Sequence, residues 1–542
     1  MFFQISDDSL LVTTSQGTLR GHILTSPGNK TFKAFQGVPY AQPPLGNLRF
    51  QAPQPPLNWD GIRDATKDGN ICFAITSDSP EESEDCLFLN VFVPILDDDN
   101  QCKLSVMLWI HGGGFTHGHS LYNSTGPDYL IEQGVIVVTL TYRLGPFGFL
   151  STGDDVISGN AGLKDQAAAI KWIYENIEAF GGDKDNITIS GQSAGSASVG
   201  FQLLYKGNEG YFRGAIMESG SPLNMWSFSV GFDPKAYAVD LAQQVNATID
   251  ANISSAALLN FLVSLDGKEI DTASTKTTVS TSALPVIEPA SQTAFLTASQ
   301  YELLAKGDFI QVPLLIGTNS EEEIHQGQDL EKLAKNLESY EKNYEKFIPK
   351  NMDLSVNVNK SLVSKTIRDL YLDNVPDDSK MGHLIKYMSH NTFTRAVIKH
   401  ATLAVNYTAV YFYVFSYDGP LGNVNITVKG ADKIDHAEDT KYLWKRVGKD
   451  YSNDDLSKYP ASDVLAHNRL ISLWTNFVKY LTPTPEKTEL LQNITWPEYD
   501  SEEYRYLDIG ENLEVRKKPK RPYYDAWDQY YEEWARHPLI TF

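Results

Sequence analysis

Two stretches of this sequence, Leu104–Ile110 (LSVMLWI) and Gly134–Tyr142 (GVIVVTLTY), are apolar almost without a break. A strand with one wet face alternates apolar and polar residues, so near-continuous runs like these belong to strands covered on both faces. Residues 87–94 (LFLNVFVP), 186–189 (NITI), 212–217 (FRGAIM), 312–316 (VPLLI) and 409–415 (AVYFYVF) read as further strands. Helical spacing is clearest at 163–179 (LKDQAAAIKWIYENIEA), where Gly181-Gly182 supply the stop. Strands alternating with helices predict an α/β fold, a large and mostly parallel sheet with helices on both faces. Residues 9–25 read as a short hairpin around Gln16-Gly17, and the proline-broken 35–53 as an ordered loop. Residues 231–275 and 328–400 are charged, helix-rich insertions, either solvated packing or the wall of a gorge. No repeat, low-complexity tract or linker interrupts the chain. Residues 1–542 are expected to form one domain that ends in a basic, then aromatic, tail at 516–542.

With 46 basic and 68 acidic residues the net charge is −22. Such a surface repels nucleic acid and anionic membrane, and its simplest reading is solubility. No apolar run is long enough to span a bilayer. The three cysteines, Cys72, Cys86 and Cys102, do not have zinc-ligand spacing. An oxidised Cys72–Cys86 pair would close a short loop and leave Cys102 over. Nine N-x-S/T sequons occur, at Asn29, Asn123, Asn186, Asn246, Asn252, Asn359, Asn406, Asn425 and Asn493. Asn186 opens an apolar strand and is not expected to accept a glycan. The first residues, MFFQISDD, show no signal peptide. The sequons and the cysteine pair nonetheless lead us to expect a secreted or vesicle-lumen protein in mature or trimmed form.

The chemistry centres on Gly191-Gln192-Ser193-Ala194-Gly195, a G-x-S-x-G that follows the 186–189 strand and opens into small residues able to start a helix. That context is a nucleophile elbow, a sharp turn that lifts a serine hydroxyl above a sheet. The motif is weak alone. A serine also needs a base within hydrogen-bond reach and a third group to orient that base. The 312–316 strand runs into GTNSEEE, which offers Glu321, Glu322 and Glu323 as the orienting acid, and several of the 11 histidines follow. The 104–110 strand ends in His111-Gly112-Gly113-Gly114-Phe115. Backbone N–H groups of Gly113, Gly114 and Ala194 would form an oxyanion hole. His111 reads as structural.

In their order along the chain, FQGVPYAQPPLGNLRF (35–50), SEDCLFLNVFVP (83–94), HGGGF (111–115), YRLGPFGFLSTGD (142–154), GQSAGS (191–196), MESGSP (217–222), GTNSEE (317–322) and WTNFVKYLTPTP (474–485) resemble the type-B carboxylesterase/lipase family, which includes the cholinesterases. The resemblance spans about 10–510. It implies an α/β-hydrolase fold and a serine ester hydrolase that takes small-molecule esters and needs neither cofactor nor metal. It implies Ser193 as nucleophile, Glu322 as acid and His436, in GADKIDHAEDTKYLW (430–444), as base. It also implies a Cys72–Cys86 disulfide and an Arg49–Glu84 ion pair.

Departures from the cholinesterase pattern narrow the expectation to the carboxylesterase branch. The 13 residues between Cys72 and Cys86 contain no tryptophan to hold a quaternary ammonium by cation–π contact. Gln192 stands where cholinesterases carry glutamate, and Ile324, His325 and Gln326 stand where gorge aromatics would follow the acid. Residues 279–284 (VSTSAL) lack aromatics and point to a roomier acyl site, with Trp226 as a lining residue. The competing readings are a storage or structural protein that keeps an esterase site, and an adhesion protein on the same fold.

Overall fold

The computed structural model describes residues 10–75, 79–96, 102–231, 233–278 and 283–542. The apolar runs lie side by side in one 11-stranded sheet. From one edge the order is Leu513–Lys517, Arg505–Ile509, Val410–Phe415, Leu314–Asn319, Gly214–Glu218, Gly182–Gln192, Leu104–Ile110, Ile136–Leu140, Phe88–Pro94, Thr31–Pro39 and His22–Thr25. The stretch from Arg505–Ile509 to Ile136–Leu140 is parallel throughout, and antiparallel pairs occur only toward the two edges.

The continuity of the apolar runs follows from this architecture. In Leu104–Ile110, Val106, Leu108 and Ile110 enter one core together with the helices Ala161–Asn176 and Ala194–Leu204. Met107 and Trp109, on the other face, enter a second core with the helix Ala461–Tyr480. Burying each such side chain contributes roughly 1.5–3 kcal/mol, and alternation would place polar groups in one core or the other. The 134–142 run pairs only over Ile136–Leu140. Beyond it, Thr141 and Tyr142 turn their hydroxyls to the carbonyls of Cys86 and His111.

The 9–25 hairpin forms between Leu11–Thr13 and Thr18–Arg20, and Ile62–Asp64 extends it into a separate three-stranded sheet. The insertions are helical as expected, with Pro234–Val245, Ser255–Ser264 and Gly267–Ser274 in the first, and Leu330–Lys342, Lys360–Leu372, Lys380–Ser389 and Arg395–Ala404 in the second. The tail supplies the edge strand Leu513–Lys517 and the helix Tyr523–Trp534. Of the 279–284 stretch, residues 279–282 lie outside the described residues, while Ala283 is buried and Leu284 half-buried. Asn186 has both ends of its amide engaged, donating to Ser105 Oγ at 2.8 Å and accepting from Arg213 Nε at 2.6 Å. The other eight sequon asparagines are exposed. No helix among the described residues is long and apolar enough to cross a membrane.

Cys72 and Cys86 are joined by a disulfide and Cys102 is exposed and free. Beside the bridge, Arg49 grips Glu84 bidentately at 2.6 Å through Nε and one terminal nitrogen. Its other terminal nitrogen donates to the Leu262 and Leu265 carbonyls at 2.8 Å, tying the cysteine loop to the first insertion. A cross-link closing a loop of this size stabilises by about 3 kcal/mol, chiefly through the unfolded chain. A Cys72→Ser/Cys86→Ser protein should therefore unfold at a lower temperature in a thermal melt, whereas Cys102→Ser should melt as the parent does.

Candidate active site

Strand, turn and helix meet at Ser193 as the motif requires. The strand Gly182–Gln192 ends one residue before it and the helix Ala194–Leu204 begins one residue after. Ser193 sits at φ 59° and ψ −123°, a conformation that costs on the order of 1–3 kcal/mol and persists only where its surroundings enforce it. They do so here through the Ser193 N–H, which donates to the Glu218 carbonyl at 2.8 Å, and the Ser193 carbonyl, which accepts from Ala197 N at 2.9 Å. The elbow also presses on the neighbouring strand, since a Cβ at Gly195 would lie 2.0 Å from the Ile110 carbonyl oxygen. A residue larger than glycine there would push helix and strand apart.

The glycine loop after Ile110 lies against the elbow. A Cβ placed on Gly112 would come within 2.6 Å of the Gln192 carbonyl and 3.0 Å of Ser193 Cβ. Gly113 adopts φ 113°, and its missing Cβ makes room for the His117 carbonyl, 2.0 Å from where that atom would be. Ala194 is the first residue of its helix, so its N–H has no partner within the helix. His111 is buried, stacks on Tyr142 with ring centroids 4.5 Å apart, and donates from Nδ1 to the Gly112 carbonyl at 2.8 Å. Burial pushes its pKa down to about 3, so it stays neutral and braces the loop.

Glu322 and His436 lie on two loops zipped together by main-chain bonds. Glu321 N donates to Ile434 O at 2.9 Å and His436 N to Glu322 O at 3.3 Å. His436 Nδ1 meets Glu322 Oε2 at 2.6 Å. The other carboxylate oxygen, Oε1, accepts from Ser219 Oγ at 2.6 Å and Asn319 N at 2.7 Å. Because the carboxylate can only accept, the imidazole carries its proton on Nδ1 and turns a lone pair outward from Nε2. Gln192 Nε2 lies 3.2 Å from that atom. Of the three glutamates, Glu322 is the one that meets the histidine. Glu321 turns away and accepts from Asp432 N at 2.8 Å, and Glu323 accepts from Gln326 Nε2 at 3.0 Å. His325 is half-exposed and bonded to Asp435 Oδ1 at 2.9 Å, which adds another tie between the loops.

Two contacts here carry no signature in the sequence. Phe393 stacks on the His436 ring at 4.1 Å and 28°. A single π-helical turn, His390–Thr394, delivers it between the helices Lys380–Ser389 and Arg395–Ala404. Trp226 packs on Phe393 at 5.6 Å and donates to the Thr392 carbonyl at 2.8 Å, which puts it one ring away from the imidazole. Ser219 lies within the quoted MESGSP block, but only the fold brings it to Glu322. No group of histidine, cysteine, aspartate and glutamate side chains among the described residues is arranged to hold a metal.

Burial disfavours the charged imidazolium, yet the Glu322 hydrogen bond and charge, with further help from Asp439 and Asp435, outweigh it and hold the His436 pKa above the ordinary value. Two more carboxyls lie behind the pair. Asp439, bonded by Tyr413 OH at 3.2 Å, is pushed up to about 6 by burial and by Glu322. Glu218, which accepts from Trp474 Nε1 at 2.6 Å, is pushed up by burial and by Asp439. The raised His436 pKa adds stability that is fully present below the unfolded value of about 6.5 and is lost as pH rises through the folded value. An NMR titration of His436 should find its pKa above 6.5, and Glu322→Gln should lower it.

Comparison with known proteins identifies the family. A profile described as the carboxylesterase family matches residues 8–527. Juvenile hormone esterase of Tribolium castaneum is 32% identical over 90% of this chain and 85% of its own length. Para-nitrobenzyl esterase of Bacillus subtilis is 30% identical over 94% and 96%, and venom carboxylesterase-6 of Apis mellifera is 29% identical over 92% and 90%. The chain belongs to the carboxylesterase family, has its α/β-hydrolase fold, and is a carboxylic ester hydrolase.

Proposed function

We propose that ester hydrolysis proceeds through an acyl-enzyme on Ser193, with His436 as general base, Glu322 as its orienting acid, and the N–H groups of Gly113, Gly114 and Ala194 as the oxyanion hole. The observation that carries this reading is the 2.6 Å contact of His436 Nδ1 with Glu322, which turns the Nε2 lone pair outward as the proton acceptor, toward Gln192, the residue next to the strained Ser193. Ser193 Oγ gives its proton to His436 Nε2 as it bonds to the ester carbonyl carbon. The carbonyl oxygen becomes an oxyanion, and a single lost donor to it costs roughly 2.7–4 kcal/mol of barrier. The intermediate collapses with cleavage of the C–O bond, and the imidazolium protonates the departing alkoxide. Water then repeats the cycle, giving a proton to Nε2 and its oxygen to the acyl carbon. Ser193 leaves with the returned proton, and the acid is released.

Gln192 has a defined part in this scheme. Its amide nitrogen faces Nε2 while the imidazole is neutral, and that lone pair accepts from one donor at a time. The amide therefore yields to the Ser193 hydroxyl, and its oxygen can take the Nε2 proton once the ring is charged. A glutamate could only accept. With Phe393 on the same ring and Trp226 packed behind Phe393, Gln192 lines the alcohol- or acyl-binding surface.

Neutral, small-molecule esters fit best. The cysteine loop has no tryptophan for a quaternary ammonium, and the relatives' names, juvenile hormone esterase and para-nitrobenzyl esterase, describe different esters. The reading takes 1–542 as one functional unit. Secretion is supported by the disulfide, by the eight exposed sequon asparagines and by a relative named for venom.

Hydrolysis of p-nitrophenyl acetate, butyrate and a long-chain ester tests the scheme. Ser193→Ala should lower kcat by about six orders of magnitude or to background, and the acid limb of kcat/KM should lie above pH 6.5, the ordinary histidine value, roughly. Equal rates in parent and variant would discard the Ser193 acyl-enzyme. Expressed through a secretory pathway, the chain should lose mass on enzymatic deglycosylation, and Asn186→Gln should leave the glycosylated mass unchanged.

A further inference from the structure

The basic-then-aromatic tail lies past the motifs that carry the resemblance, and one of its cations reaches the site. After the edge strand Leu513–Lys517 the backbone turns through left-handed conformations at Lys518 and Lys520, with φ 57° and 55°. Lys518 is exposed, whereas the side chain of Lys520 is turned inward and only 15% accessible. Its ammonium donates to the Ser320 carbonyl at 2.6 Å and to Asp432 Oδ2 at 3.0 Å. Ser320 stands two residues before Glu322, and Asp432 four before His436. Asp432 in turn donates its N–H to Glu321 Oε2 at 2.8 Å. One ammonium thus bonds the acid loop and the base loop at once.

Withdrawing an ammonium from water is costly unless its protons and charge are matched. Around Lys520 the matching groups come from several elements: Glu321 from the acid loop, Asp432 from the base loop, Tyr506 and Asp508 from the neighbouring strand and Tyr523 from the tail helix. Two further groups face the same cluster without matching the charge: His390, held in its neutral form by burial and by Lys520 and Lys386, and the cation Lys386, which also faces Asp432. The carbonyl of Ser320 gains nothing from a carboxylate partner and needs a donor, and a lysine reaching across from the tail supplies one to both loops.

We infer that Lys520 is a positioning residue for the Glu322–His436 pair, and that the tail is therefore part of the catalytic apparatus. This rests on the triad reading above. The ammonium sets the separation of two loops whose ends carry the acid and the base, and a misplacement of about 1 Å in such a pair can cost about 10²-fold in rate.

The test uses the full chain with Lys520→Met, Lys520→Arg and Ser193→Ala. For Lys520→Met we expect kcat on p-nitrophenyl butyrate to fall between about tenfold and 10²-fold with KM little changed. The acid limb should move to lower pH as the imidazole loses the contact that holds its pKa up. Lys520→Arg, which keeps the charge and the donors, should restore kcat to within a few-fold. Parent-like kcat in folded Lys520→Met overturns the proposal. So does an acid limb that moves up with kcat unchanged, which is the mark of a lost charge without lost positioning. Should Lys520→Met fail to fold, Asp432→Asn carries the test, since it keeps the bond to Ser320 and weakens the link to the base loop. The same drop in kcat is expected, and parent-like kcat overturns the inference. Activity surviving in Ser193→Ala would instead discard the triad reading, so the two failures are distinguishable.

Discussion

The buried carboxylate of Glu322 is the point on which the site depends. Taken from water, a carboxylate survives only with donors on its lone pairs, and three converge here: the Asn319 main-chain N–H, the Ser219 hydroxyl and His436 Nδ1–H. Each comes from a different part of the fold. Asn319 ends its own strand, Ser219 follows the adjacent strand Gly214–Glu218, and His436 lies on a loop more than a hundred residues later. Satisfying one acid therefore fixes the spacing of strand ends, the tautomer of the imidazole and the path of the base loop together.

The parallel sheet makes that convergence possible. Parallel strands deliver their C-terminal ends to one edge, and chemistry collects in the crevice there. The elbow after Gly182–Gln192, the glycine loop after Leu104–Ile110 and the acid loop after Leu314–Asn319 all leave from that edge. Neighbouring carboxyls do not compete with Glu322 on equal terms. Glu218 is pushed toward its neutral form by burial and by Asp439, and Asp439 by burial and by Glu322, while Glu322 is the carboxyl group bonded to the imidazole.

The parts of this design that a local pattern can express were legible beforehand. Continuous apolar runs marked doubly covered strands, G-x-S-x-G after a strand marked the elbow, and a glycine run after another strand marked the loop beside it. The choice of Glu322 among three adjacent glutamates needed the resemblance, because composition alone does not separate neighbours in an EEE run. Phe393, Ser219 and Lys520 were out of reach for a common reason. Each acts through a contact with a residue far away in sequence, and nothing in its immediate neighbours differs from an ordinary core phenylalanine, turn serine or surface lysine.

The linear order of residues determined which strands must be buried on both faces, where the chain must turn on glycine, and which residue types stand at the ends of those strands. Period, backbone restriction and side-chain chemistry are local properties, and they survive in a string of letters. Only the tertiary structure decided which glutamate meets the histidine, that a glutamine amide and a phenylalanine ring border it, and that a lysine from the tail clasps both loops. Those outcomes depend on distances of about 3 Å between groups on separate elements, and such distances exist only once the sheet has brought the elements together.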